Sequence, residues 1–190
     1  SYEGDLMAYS GVSYTLGRES VSQYGESLAG SRPGFMGNNF IYPMKAETSS
    51  GAVYPEVSPE PVGDRGSGDE RIQAYTYRLC LSNDPANQIS FSKPLFYDSS
   101  RYELLLQWLE VLKSNEGGRT LMLSDLMFFG RLPNNKVDVN NSGPFSTDYI
   151  GGSLNYAEGD LRTRREIEGA HRNYLEGLFY FLWKDERVPA

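Results

Sequence analysis

Between Ser20 and Glu70 the sequence loses all regular periodicity. Pro33, Pro43, Pro55, Pro59 and Pro61 stand among frequent Gly and Ser, and proline removes a ladder donor while fixing φ. Roughly fifty residues of irregular chain is long for a compact domain and marks either a functional excursion or a segment ordered by something else. Phe35, Met36, Phe40, Ile41, Tyr42 and Val53 are too apolar for a solvated linker, so the second reading is favoured: this segment needs a surface to cover. Regular structure is thereby confined to the two flanks.

On the N-terminal flank, Leu6-Met7-Ala8 reads as a short helical turn broken at Gly11. Alternation then places Val12, Tyr14 and Leu16 on one face of an extended run. After the loop Gly63 to Glu70, Arg71 to Ser82 is the clearest strand. Tyr75, Tyr77, Leu79 and Leu81 form its core face, and Arg78 projects oppositely, to water or into a polar pocket. Cys80 reads as a buried strand residue.

Ser100 and Glu103 form a capping-box pattern before Tyr102, Leu105, Leu106, Leu109 and Leu112, which predicts a helix over about 100–114 closed by Gly117-Gly118. The Asn- and Gly-rich passage 130–155 reads as loop. A last amphipathic helix starts near Asp160, carries Ile167, Ala170, Tyr174, Leu178, Phe181 and Leu182 on its apolar face, and ends near Asp185. The expected fold is α+β: a small, mainly antiparallel sheet, two principal helices and long irregular connections, as one domain over 1–190 with the excursion 20–70 inside it.

Composition sets the exclusions. The chain holds 18 basic and 25 acidic residues, a net charge of −7, with the basic residues scattered; phosphate neutralisation needs them clustered, so nucleic acid is not an expected partner. No apolar run approaches the ~20 residues that span a bilayer. One cysteine excludes an internal disulfide and any cysteine metal cluster.

Chemistry-bearing residues have bland rivals. His171, the one histidine, reads as a helix residue beside aromatics or facing solvent, with no activated Ser or Cys nearby. Asp138, Asn140 and Ser142 imitate the opening of a calcium loop, but its twelfth position is Tyr149; an Asn-rich turn is the better account. Glu56 and Glu60, or Asp69 and Glu70, read as solvated loop charges and not as a glycosidase pair. No Gly-rich phosphate motif is present. No metal site is expected.

The motifs Tyr2-Glu3-Gly4-Asp5-Leu6-Met7-Ala8, Gly17-Arg18-Glu19, Arg71-Ile72-Gln73-Ala74-Tyr75, Asp138-Val139-Asn140-Asn141 and Ser146-Thr147-Asp148-Tyr149-Ile150-Gly151 together resemble a bacterial family of FAD-dependent oxidoreductases whose members sometimes carry a xanthan lyase-related label. The likeness runs through nearly the whole chain. It implies an internal, substrate-side portion of a longer flavoprotein, with FAD bound in the full-length parent and not by this chain alone. Gly4 and Asp5 would lie near the cofactor. Arg18, Glu19, Tyr24, Glu26, Arg78 and Asp148 are the candidates for holding a small polar or saccharide substrate, while the catalytic residues stay unassigned. The implied partners are the rest of the parent chain and, for an uncovered fragment, further copies of itself; the implied setting is secreted or periplasmic. The rival reading is a carbohydrate-binding or xanthan lyase-related module without redox activity, for which 14 Tyr, 9 Phe and 2 Trp offer stacking surface. Trp108 and Trp183, both on amphipathic helices, read as core and argue against it.

Overall fold

The computed structural model describes residues 4–34 and 39–189. Its elements are α1 (Asp5–Tyr9), α2 (Val21–Tyr24), β1 (Leu79–Ser82), α3 (Glu103–Asn115), β2 (Met127–Leu132), β3 (Lys136–Asn141) and α4 (Leu161–Lys184). The fold is α+β. The three strands form one antiparallel sheet in the order β1-β3-β2, and α3 and α4 are the principal helices. Phe35 and Met36, Tyr2 and Glu3 lie outside the described residues.

Both long helices form where apolar side chains recur three and four apart. In α3 the buried stripe is Leu104, Leu105, Trp108, Leu109 and Leu112. In α4 it is His171, Tyr174, Leu175, Leu178, Phe179 and Phe181; Ala170, placed on that face by the sequence, is exposed. These stripes close on Met127 and Val139 of the sheet and on Phe145. Each such residue stabilises the fold by about 1.5–3 kcal/mol relative to an exposed position.

Asp160 caps α4, its carboxylate accepting from the Thr163 N–H at 2.8 Å. The start of α3 differs from the expected capping box. Asp98 accepts from the Ser100 N–H at 2.9 Å, a 3-10 turn covers Ser99–Tyr102, and Tyr102 precedes the helix without a side-chain cap. At its far end Gly117 and Gly118 take φ of 73° and 75°, and the Gly118 N–H reaches back to the Lys113 carbonyl at 2.8 Å, the six-to-one closure that left-handed glycines permit.

The sheet departs from expectation at both ends. The passage 130–155 read as loop holds the end of β2 and all of β3, a hairpin turned by Pro133-Asn134-Asn135 with Asn134 and Asn135 at φ 61° and 57°. Asp138 and Asn140 are therefore strand residues and not part of an Asn-rich turn. Conversely, the strand expected over 71–82 survives as β1 alone, with an isolated bridge from Thr76 to Asp148. Leu79 and Leu81 do pack on the core. Cys80, between them on the other face, is exposed and not buried. Among the described residues Val12, Tyr14 and Leu16 find no neighbouring strand, and all three are exposed.

The excursion is laid against the domain. Tyr42, Met44, Tyr54 and Val57 pack on the core, and Phe40 meets Trp108 edge-on at 5.2 Å between centroids. Its ends are laced together: Arg18 and Asp69 exchange main-chain hydrogen bonds of 2.7 and 3.0 Å, and Ser31 does the same with Ser67 and Gly66 at 2.8 and 2.7 Å.

Candidate functional site

Ser146 to Ser153 is the segment from which the site is built, because its two ends, Ser146 to Asp148 and Ser153, are buried while Ile150 and Gly151 between them are exposed. The Tyr149 ring stacks on Tyr174 at 4.9 Å and 12°. Ser153 and His171, both buried, share a hydrogen bond of 3.0 Å between the hydroxyl and Nε2. The His171 Nδ1 lies 2.8 Å from the Ile167 carbonyl, so Nδ1–H donates there and Nε2 accepts from Ser153. The histidine does sit beside an aromatic, with the Tyr149 ring at 5.0 Å, but the expectation that no serine stands near it is corrected by Ser153.

Consecutive residues of this segment serve two concavities. Asp148 borders the first, of about 470 Å³, together with Gln73, Tyr75, Thr76, Arg78, Asn140 and Asn141. The Asp148 carboxylate accepts from the Thr76 hydroxyl and from the Asn141 amide at 2.7 Å. Arg78 donates to Asp138 at 2.7 Å and is half-exposed, so much of its donor fork faces the concavity and water. Amide, hydroxyl, guanidinium and carboxylate groups thus converge on one opening. Such a set orients a polar small molecule through several directional hydrogen bonds.

Tyr149 borders the second concavity, of about 300 Å³, with Glu56, Ser58, Ile150, Gly151 and Gly152. Glu56 is held at φ 63°, a left-handed conformation that costs a non-glycine residue roughly 1 kcal/mol. Its carboxylate accepts from Arg101 Nε at 2.6 Å, and that guanidinium lies 4.7 Å from the Tyr149 ring centre and 5.3 Å from that of Tyr174. Burial raises the Glu56 carboxyl above the usual carboxylate range despite the opposing pull of Arg101. It likewise raises the phenols of Tyr102 and Tyr174. Glu56 is consequently not the solvated loop charge read from sequence, whereas Glu60 is exposed and its carboxylate meets Arg71 at 3.3 Å.

The other sequence candidates do not gather. Asp5 is engaged by Arg164 of α4 through two hydrogen bonds of 3.0 and 2.9 Å, which hold its carboxyl below the usual range, and Gly4 precedes the five-residue α1 at φ 74°. Arg18 forks onto Asp69, pairing with it and not with the adjacent Glu19. Glu19, Tyr24 and Glu26 are exposed and border neither concavity. Trp108 is core, but Trp183 is 55% exposed and borders an apolar hollow with Phe91, Leu123 and Phe179, against its reading as core. Arg101 escaped sequence reasoning because its partner is 45 residues distant in a loop. Among the described residues no group of three His, Cys, Asp or Glu could hold a metal ion, and no helix is long and apolar enough to cross a membrane.

Over residues 1–188 the chain matches the family model described as FAD dependent oxidoreductase. Comparison with curated proteins and with solved structures finds no match to either.

Proposed function

This chain belongs to the FAD-dependent oxidoreductase family, and from that premise we propose that it forms the substrate-side portion of such an enzyme, holding a small polar substrate in the concavity between Arg78 and Asp148. The observation that carries the reading is the convergence itself. Two residues 70 positions apart meet at one opening, with Gln73, Asn140 and Asn141 around them. Side-chain amides with a guanidinium and a carboxylate match the alternating donors and acceptors of a hydroxylated molecule, so a carbohydrate-related substrate suits this lining.

FAD supplies the redox chemistry of the family. Its diphosphate is ordinarily cradled by a glycine turn between a strand and a helix N-terminus in a parallel sheet. The described residues form a small antiparallel sheet, and the helix after Gly4 has five residues, so the diphosphate does not fit here. The role left to Arg78, Asn140, Asn141 and Asp148 is to bind and orient substrate.

The carbohydrate-binding alternative draws on Trp183, whose exposed ring is the aromatic platform that reading needs. Its hollow has one hydroxyl, from Ser90, among otherwise apolar side chains. Sugar recognition needs several polar groups beside the stacking ring, and the Arg78 concavity has them.

The test is to express the longest natural form of the protein, load it with FAD and follow bleaching of the flavin absorbance across a panel of polyols and sugars. Saturable bleaching, with KM raised by Arg78→Ala, is the expected result. A parent that stays colourless with added FAD defeats the flavoenzyme reading. Bleaching indifferent to Arg78→Ala defeats the assignment of the concavity.

A further inference from the structure

The Glu56–Arg101 pair directs two donors to one carboxylate oxygen, as the Arg119–Glu116 pair does, but it is the more buried of the two. Arg101 directs Nε to Oε1 of Glu56 at 2.6 Å, and its Nη2 approaches that same oxygen at 2.5 Å. The second carboxylate oxygen has no hydrogen-bond partner among the described residues, and Glu56 borders the 300 Å³ concavity. Bidentate arginine pairs normally engage both oxygens. Here one oxygen takes the whole fork.

The surroundings restrict what could meet the spare oxygen. Arg101 is wedged against Tyr149 and Tyr174 and neutralises the carboxylate, so the pair exerts little net attraction on ions of either sign. Glu56 and Arg101 are each mostly buried, with 14% and 24% of the side chain exposed. Val57 and Ile150 give apolar walls, Ser58 a hydroxyl, and Gly151-Gly152 expose main chain at the rim. Backbone strain held at a polar residue is a signature of functional sites, and Glu56 holds it at φ 63°. The raised carboxyl agrees with an acceptor kept partly out of water.

We propose that this concavity binds a neutral, hydroxyl-bearing ligand of about monosaccharide size, whose hydroxyl donates to the free oxygen of Glu56. Ser58 adds a second polar contact, and the apolar walls cover the ligand's C–H face. The site is separate from the Arg78 concavity and does not depend on flavin, so it is tested without cofactor.

The experiment titrates the full chain, labelled with nitrogen-15, with myo-inositol as the neutral polyol, acetate as an anion and methylammonium as a cation, reading the amide shifts of Ser58, Gly151 and Gly152. The expected result is saturable shifts with myo-inositol alone. Glu56→Gly, which adopts positive φ freely, weakens them by about tenfold or more, the loss typical of one charge-assisted hydrogen bond. Unchanged amide shifts in α3 and α4 establish that this variant is folded; should it not fold, Glu56→Gln takes its place and weakens binding several-fold. The proposal is overturned if myo-inositol produces no saturable shift, if acetate or methylammonium saturates the same amides as tightly, or if the folded variant binds as the parent chain does.

Discussion

Gly177, in the middle of α4, leaves the room that the Tyr102 hydroxyl occupies. That hydroxyl donates to the Tyr174 carbonyl at 2.8 Å, and a Cβ at 177 would fall inside contact distance of its oxygen and 3.3 Å from Cζ. Because the phenol is buried between both long helices, this one close approach fixes how α4 sits on the start of α3.

Gly177→Ala should therefore destabilise the fold by about 1–3 kcal/mol, the range for overpacking, although alanine is the better helix former. Gly169 has nothing near its missing Cβ, and Gly169→Ala should stabilise by roughly 0.5–1 kcal/mol. Denaturant unfolding of both variants gives the comparison, and equal effects would refute the packing argument. Adding Tyr102→Phe to Gly177→Ala should recover part of the loss, since it removes the obstructing oxygen.

Those helices were legible because their apolar residues repeat at helical spacing and Asp160 and Gly117-Gly118 mark ends. Sheet boundaries were less so, since pairing is decided by a partner. Residues 71–78 alternate as a strand should, yet β1 finds ladder partners on β3 only from Leu79 to Ser82. The hairpin was readable in hindsight: Val137 and Val139 alternate with polar residues, and Asn134-Asn135 is a left-handed turn signal, obscured by the surrounding Asn and Gly. Arg78 and Asp148 entered as candidates through family resemblance. Nothing local to Glu56 or Arg101 announces their pairing, since a loop and a helix start 45 residues apart carry no shared periodicity.

Arg78 and Asp148 should separate binding from folding. The Arg78–Asp138 pair lies at the surface, with the arginine half-exposed, and such pairs contribute at most about 1 kcal/mol, so Arg78→Ala should leave Tm nearly unchanged while weakening substrate binding. Asp148 is buried and accepts from Thr76 and Asn141. Its replacement by Ala strands both donors and should cost about 1–3 kcal/mol. Thermal melts of the two variants decide it, and a large loss for Arg78→Ala would make it a structural residue.

Low pH should loosen the neck of the excursion. The Arg18 guanidinium holds the Asp69 carboxyl below its ordinary value of 3.8. A depressed folded value means that the stabilisation is fully present above the unfolded value and is lost as pH falls through the folded one. Protection of the Arg18 and Asp69 amides, their exchange taken relative to the intrinsic rate at each pH, should fall below about pH 4, and Asp69→Asn should show the low protection at every pH. Equal protection in both proteins at neutral pH would mean that the main-chain bridge alone closes the neck.

Glu56 should titrate with the opposite sign. Its carboxyl lies above the ordinary 4.5 because burial outweighs Arg101. A raised folded value gives a contribution that is complete below the unfolded value and is lost as pH rises through the folded one. The stability of the parent chain relative to Glu56→Gln, which cannot ionise, should therefore decline as pH rises from 4.5. Chemical unfolding of both proteins from about pH 4 to 7 measures this difference; the window lies around the ordinary carboxyl value. The slope isolates Glu56, because the other carboxyls are common to both chains. A difference that grows in favour of the parent with rising pH would show that Arg101 outweighs burial, making the pair a stabilising clamp and not a partly desolvated acceptor.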